Sequence, residues 1–240
     1  NVRRYFLPGT SHGGGRGGFA LETPPAAGCV LASNPNPEAD TLRALNLALV
    51  DWVTKGTEPP PSRYPRLDRG ELTEPAKLAA FFARIPGAPT PAVNPVFDYD
   101  YGTQFRYNDL SGVITRQPPA ISRILPTLVP QIDSEGSDVG GVPSVLRQVP
   151  LGSYLGWNVT ATGYNKGKAC GLAGGYIPFA RTKAQRVASG DPRLSLEERY
   201  AGHDAYVNAV KAAADQAVKD RFLLPDDAAR LVREASANPL

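Results

Sequence analysis

The chain of 240 residues is 42% hydrophobic and 20% charged, proportions of a globular protein rather than a disordered one. No run of about 18 consecutive apolar residues occurs, which excludes a membrane-spanning helix. The net charge of +3 is spread out, and no basic stripe interleaved with aromatics follows Arg3 and Arg4, which argues against a nucleic-acid surface.

Gly and Pro supply 24 residues each and demand long ordered loops between few regular elements. Met is absent, and an opening Asn1-Val2-Arg3-Arg4-Tyr5-Phe6 is neither a translation start nor a signal-peptide pattern. The expectation is that residues before Asn1 were cleaved off or stand on another chain.

Residues 2–7 are a β-branched and aromatic run ending at Pro8-Gly9, the pattern of a strand entering a tight turn. Residues 13–37 read as loop, with Gly13-Gly14-Gly15, Gly17-Gly18, Pro24-Pro25 and Asn34-Pro35-Asn36-Pro37. The first helix follows, with Asp40 placed to cap it and Leu42, Leu45, Leu49, Val50 and Val53 at helical spacing. Gly56 stops it before Pro59-Pro60-Pro61. Its stripe needs a sheet that the chain hardly contains, so it is expected to pack on strands from outside.

Residues 57–120 are proline-punctuated, with a short helix expected over 77–83. Strand-like stretches cover 121–132 and 145–159, around the turn-rich Asp133-Ser134-Glu135-Gly136-Ser137-Asp138. The end reads as helical. Ser195-Leu196-Glu197-Glu198 has capping-box spacing, and Tyr206, Val210, Ala214, Ala217 and Val218 continue a stripe. Pro225 with Asp226 and Asp227 suits the first turn of a last helix.

The segment that carries chemistry is Tyr5-Phe6-Leu7-Pro8-Gly9-Thr10-Ser11-His12-Gly13-Gly14. A strand delivers a histidine into a glycine-rich loop, and a long amphipathic helix comes after it. Imidazole is the side chain best suited to accept a hydroxyl proton near neutral pH and later return it. The plain alternative is a loop or core histidine without a role, since one His is a weak signal.

The stretch from Leu7 to Gly14 is followed by Leu42-Arg43-Ala44-Leu45 and Asp51-Trp52-Val53-Thr54-Lys55-Gly56-Thr57-Glu58-Pro59-Pro60. Together they resemble the last strand, histidine loop and final helix of α/β-hydrolases, and are distantly similar to the tannase and feruloyl-esterase group. A closer resemblance is to the bacterial family called alpha/beta hydrolase domain-containing protein. Val129-Pro130-Gln131-Ile132-Asp133, Pro150-Leu151-Gly152-Ser153-Tyr154-Leu155-Gly156-Trp157-Asn158 and Tyr176-Ile177-Pro178-Phe179-Ala180-Arg181-Thr182 resemble that family's carboxy-terminal region. So do Gly190-Asp191-Pro192-Arg193 and Ser195-Leu196-Glu197-Glu198-Arg199-Tyr200.

The resemblance implies an α/β, incomplete α/β-hydrolase fold, with residues 1–60 as the carboxy-terminal part of the core and 61–240 as a family-specific extension. It implies a serine-type esterase with a triad ordered nucleophile, acid, histidine, in which His12 matches the third member. No Gly-x-Ser-x-Gly occurs in the chain, and Ser11 is not used by the family pattern. Nucleophile and acid are therefore expected before residue 1 or on a partner chain, with a small-molecule ester as substrate. No metal or organic cofactor is called for. The alternative is a non-catalytic binding or structural subunit with a retained hydrolase-like fold.

Other residues have plainer readings. His203, in Gly202-His203-Asp204, is taken as structural. Asp133, Glu135 and Asp138 with Gly136 lack the full spacing of a calcium loop and read as a solvated turn. Asn158-Val159-Thr160 is a glycosylation sequon, meaningful in a eukaryotic secretory host. Trp157, Tyr154, Tyr176 and Phe179 are candidates for a pocket, with core packing as the default. Cys29 and Cys170 are either two buried thiols or one disulfide, and spacing leaves both open. The bridge, with a periplasmic or extracellular location, is the expectation carried forward.

Overall fold

The structure is a computed structural model and describes residues 2–109 and 112–238; Asn1 lies outside them. Its centre is a three-stranded antiparallel sheet. β1 (Ala32–Ser33) and β6 (Gly152–Leu155) both pair with β7 (Gly175–Pro178), which lies between them. Tyr154 and Tyr176 are opposite each other on one face, with rings stacked 5.2 Å apart. Because side chains alternate along a strand, Leu155 and Ile177 join the other face.

The tyrosine face packs on α3 (Val145–Gln148), α6 (His203–Lys219) and α7 (Pro225–Ser236) through Leu146, Tyr206, Val210 and Leu231. The opposite face packs on Leu78 and Phe82 of α2 (Pro75–Phe82). The remaining elements are short. β2 (Leu72–Thr73) pairs with β5 (Val129–Pro130), and β3 (Val96–Asp100) forms a hairpin with β4 (Ala120–Leu125). α4 (Lys183–Ser189) and α5 (Leu196–Arg199) precede α6.

Several expected elements take a different form. Residues 2–7 make one parallel bridge, Tyr5 to Arg63, instead of a full strand; the Phe6 N–H donates to the Arg63 carbonyl at 2.9 Å. The stretch 145–159 opens as a helix because the Ser144 hydroxyl accepts the Arg147 N–H at its amino end. It becomes extended only past Pro150. The stretch 121–132 breaks at Pro126, which has no N–H to continue a ladder.

The helix expected over 77–83 starts earlier, with Pro75 in its first turn, where a missing N–H costs nothing. The Ser195–Glu198 capping box forms, but on the four-residue α5, separate from α6. Tyr206, Val210 and Ala214 are fully buried, as their spacing requires.

The first helix, α1 (Ala39–Lys55), ends at Gly56 as expected, but Asp40 is not its cap: Glu38 occupies that position without a capping bond. Asp40 lies in the first turn and pairs with Arg43 and Arg230 at 2.5 and 2.7 Å. Arg43 and Arg230 also reach Asp227 of α7, so α1 is clamped to α7 by charge.

The buried face of α1 is Asp40, Thr41, Ala44 and Ala48. Leu49, Val50 and Val53 are 53%, 54% and 79% exposed, Leu42 is exposed and Leu45 half-buried. The expected apolar stripe therefore exists, and the described residues of the chain leave it uncovered.

Cys29 and Cys170 form a disulfide with a Cα separation of 5.8 Å, across 141 positions of sequence. It ties the loop that follows His12 to the distal half of the chain. Asn158, in the sequon, is 1% exposed. Its amide donates to the carbonyls of Leu31 and Gly174 and accepts from the N–H of Leu31 and Val159. In the folded chain it is a structural clasp, not a glycan acceptor.

The uncovered stripe and the packed core make opposite demands on a leucine. In the isolated chain Leu49→Ala is expected to change stability by less than about 0.5 kcal/mol. Leu146→Ala, at a site with no exposure, is expected to cost about 2–5 kcal/mol. Urea unfolding of both variants measures the contrast; equal losses would mean that the α1 face is covered after all.

Candidate active site

The histidine loop lies against the end of β6. Gly9 has φ +63°, and a Cβ there would stand 2.6 Å from the Tyr154 carbonyl oxygen. Only glycine combines that backbone conformation with that approach. Beyond it, the Gly14 N–H donates to the Ser11 carbonyl at 2.9 Å. This closes a turn with His12 and Gly13 at its two central positions. Gly13 has φ +83°, as the third residue of a type II turn requires.

The Pro8-Gly9 peptide is held from three directions. The Asn36 amide donates to the carbonyls of Pro8 and Gly9 at 3.1 and 2.9 Å, and the Asn34 amide to that of Gly9 at 2.8 Å. The Gly9 N–H donates to Asp138 Oδ2 at 3.1 Å. Each clamp is itself oriented. The Asn36 N–H donates to Asn34 Oδ1 at 2.9 Å, and the Ser144 hydroxyl donates to Asn36 Oδ1 at 2.5 Å.

Asp138 closes a turn in which Asp133 Oδ1 accepts the N–H groups of Glu135 and Ser137. The Arg147 guanidinium donates to Asp133 Oδ2 at 2.7 Å and to the Asp138 carbonyl at 2.9 Å. What read as a solvated turn is thus part-buried and held by Arg147. Among the described residues, no group of three or more His, Cys, Asp or Glu is arranged for a metal ion.

His12 itself is exposed at the tip of this anchored turn. Ser11 is directed elsewhere: its Cβ is 2.8 Å from where a Cβ on Gly174 would stand, toward the sheet. His203 opens α6, with Nδ1 3.8 Å from Asp204 Oδ1, and borders a separate cleft with Tyr200 and Arg181.

A cleft of about 590 Å³ begins where the histidine loop leaves β6, with Gly9 and Thr10 in its wall. Leu7, Leu78, Val93 and Trp157 line it, together with the acidic residues Glu38 and Asp138. Phe82 holds Trp157 edge-on at 5.0 Å. Of the four aromatics singled out in the sequence, Trp157 reaches this cleft, whereas Tyr154, Tyr176 and Phe179 are in the core. Burial pushes the Asp138 carboxyl above the usual carboxylate range, against the lowering effect of the Gly9 N–H and the Arg147 charge.

Sequence reasoning missed Asn34, Asn36 and Asp138 because it treated their segments as turn chemistry. The repeated Asn-Pro of 34–37 was the available signal, since Pro fixes the backbone between two amides that must aim together.

Residues 1–233 match the model of the family described as alpha/beta hydrolase domain. No curated protein and no solved structure matches the chain.

Asn36→Asp keeps shape but removes the donor to two carbonyls and sets a carboxylate against them. A loss of about 1–3 kcal/mol is expected, read by chemical denaturation; a change below about 0.5 kcal/mol would show that the clamp is not needed.

The raised Asp138 carboxyl binds its proton more tightly in the folded chain than in the unfolded one. Its ionisation therefore lowers stability as pH rises through the folded value, and the penalty fades as pH falls back to the unfolded value. Asp138→Asn, which can still accept from Gly9, is expected to raise the thermal midpoint at neutral pH. The difference from wild type should shrink in acid, and a difference independent of pH would contradict this assignment.

Proposed function

We propose, from the premise that this chain belongs to the alpha/beta hydrolase domain family, that its hydrolase chemistry is that of a serine-type carboxylic ester hydrolase in which His12 is the base. The serine and the acid that orients His12 come from residues before residue 1 or from a partner chain. The serine hydroxyl gives its proton to His12 as it attacks the ester carbonyl. His12 returns the proton to the departing alcohol, and water repeats the cycle on the acyl-enzyme.

The observation that carries this reading is the contrast between His12 and its support. Every polar atom of the Pro8-Gly9 peptide is bonded to a side chain, yet the histidine three residues later is left open. A loop histidine without a role needs no such anchorage. A base serving a nucleophile from elsewhere needs both a fixed backbone and an unobstructed imidazole.

Two further features fit the same assembly. The uncovered leucine and valine face of α1 is suited to the sheet of the part that carries the nucleophile, with residues 1–60 completing that core and 61–240 wrapping it. The disulfide favours a periplasmic or extracellular setting, where such bonds persist. Similarity to the tannase and feruloyl-esterase group supports an ester, without naming one.

In the assembled hydrolase His12→Ala is expected to lower kcat for p-nitrophenyl acetate by several orders of magnitude. Because His12 is exposed, the thermal midpoint should stay within about 2 °C of wild type. Activity within about tenfold of wild type would overturn the assignment.

A further inference from the structure

We infer that the cleft beside the histidine loop is the substrate pocket of this site, and that it takes an uncharged aryl or short alkyl group and turns away anionic ones. The inference rests on the esterase reading for the identity of the reaction, but the pocket's selectivity stands on its own walls. A volume of about 590 Å³ falls in the range of small-molecule pockets, roughly 300–1,000 Å³. Gly9 and Thr10 belong both to the wall and to the anchored loop, and His12, itself outside the lining, follows Thr10 by two residues.

The walls set the class of group. Leu78 and Val93 offer apolar surface, and Trp157 offers a ring fixed by Phe82. The charged residues in the lining are Glu38 and Asp138, both acidic, and no Lys, Arg or His is among them. Glu38 stands at the amino end of α1 without a capping bond, so its carboxylate is not consumed by the helix. Arg147, the base beside Asp138, spends its guanidinium on Asp133 and on main-chain carbonyls behind the wall. A carboxylate entering would lose water, meet the Glu38 carboxylate with the acidic Asp138 beyond it, and find no cation in the lining. An alkyl or aryl group loses nothing polar and gains the apolar contact.

Binding can be read apart from hydrolysis with ketones, which resemble the ester carbonyl but are not cleaved. The chain has two tryptophans, so Trp52→Phe leaves Trp157 as this chain's own reporter, and the part of the signal lost on adding Trp157→Phe is assigned to it. In the assembled protein with Trp52→Phe, valerophenone should alter Trp157 fluorescence saturably. It should bind about tenfold or more tightly than 5-oxo-5-phenylpentanoate, its counterpart ending in a carboxylate. Glu38→Gln, alone and with Asp138→Asn, should narrow that ratio to within about threefold, mainly by improving the anion.

Equal or tighter binding of the anion, or no saturable response to either ketone, would overturn the inference. So would a ratio unmoved in Glu38→Gln and in the double variant. The His12→Ala result separates the two readings. Selective ketone binding with activity retained in His12→Ala keeps the pocket and removes the base; lost activity without ketone binding does the reverse.

Discussion

Three polar atoms of the Pro8-Gly9 peptide face the interior of the protein, where each leaves water and needs a partner: the Pro8 carbonyl, the Gly9 carbonyl and the Gly9 N–H. A turn between two β-strands would meet that need from a neighbouring main chain. Here the partners are side chains from two distant segments, Asn34 and Asn36 on one side and Asp138 on the other. Much of the architecture follows from bringing those segments to one peptide. The Asn34 amide also donates to the Leu155 carbonyl at 3.0 Å, which sets the loop against the end of β6. Ser144 links Asn36 to the start of α3, and Arg147 of α3 holds the turn that presents Asp138. A four-residue helix is thus a buttress for both sides of the clamp.

A second buried polar group fixes the strands that receive this loop. Arg193 is 3% exposed and donates to Asp191, the Ser153 hydroxyl and the carbonyls of Ile177 and Pro178. It therefore ties β6 to β7 near their Gly152–Pro178 end, and its guanidinium lies 5.1 Å from the Phe179 ring. A buried ion pair of this kind adds little net stability compared with an apolar replacement, while the loss of one partner is costly. Its value is in position. With Arg193 fixing β6 from one end and Asn34 gripping its other end, Tyr154 can serve as the floor against which Gly9 is pressed.

How legible this was depended on the range of the interactions. The Ser195–Glu198 box, the Gly56 stop, the Pro225 start and the Tyr206-Val210-Ala214 stripe are set by residues within a turn or two of one another, and they stand as read. The chain order Pro-Gly-x-x-His marked the loop, because glycine and proline act locally. The strands did not follow their composition. Residues 145–159 are rich in β-formers, but one Ser144 cap redirected the first half, and no propensity weighs a single hydroxyl so heavily. Asn34, Asn36 and Asp138 were hidden because they act across 25 to 129 positions of sequence, and each belongs to a residue type that equally suits a solvated turn. The Arg147 charge, 9 to 14 positions from the groups it holds, was hidden as well, inside what resembled an open acidic turn.

α1 shows how a pattern can be read correctly and still be turned the unexpected way. Its leucines and valines do lie on one side, yet the helix meets its own chain through Ala44 and Ala48, with Thr41 and Asp40 beside them. Small residues let the helix approach closely, and the contact then relies on charge: Asp40 and Asp227 share Arg43 and Arg230 between α1 and α7. Burial lowers and the carboxyl partners raise the Arg230 pKa, with a net rise, and Asp227 is held below the usual carboxylate range by the two arginines despite its own burial. Both signs favour the charged forms, so the clamp persists across neutral pH. The orientation of the apolar face is thereby set by ion pairs rather than by apolar burial. The larger side chains of the helix are thereby left facing outward, uncovered by the described residues.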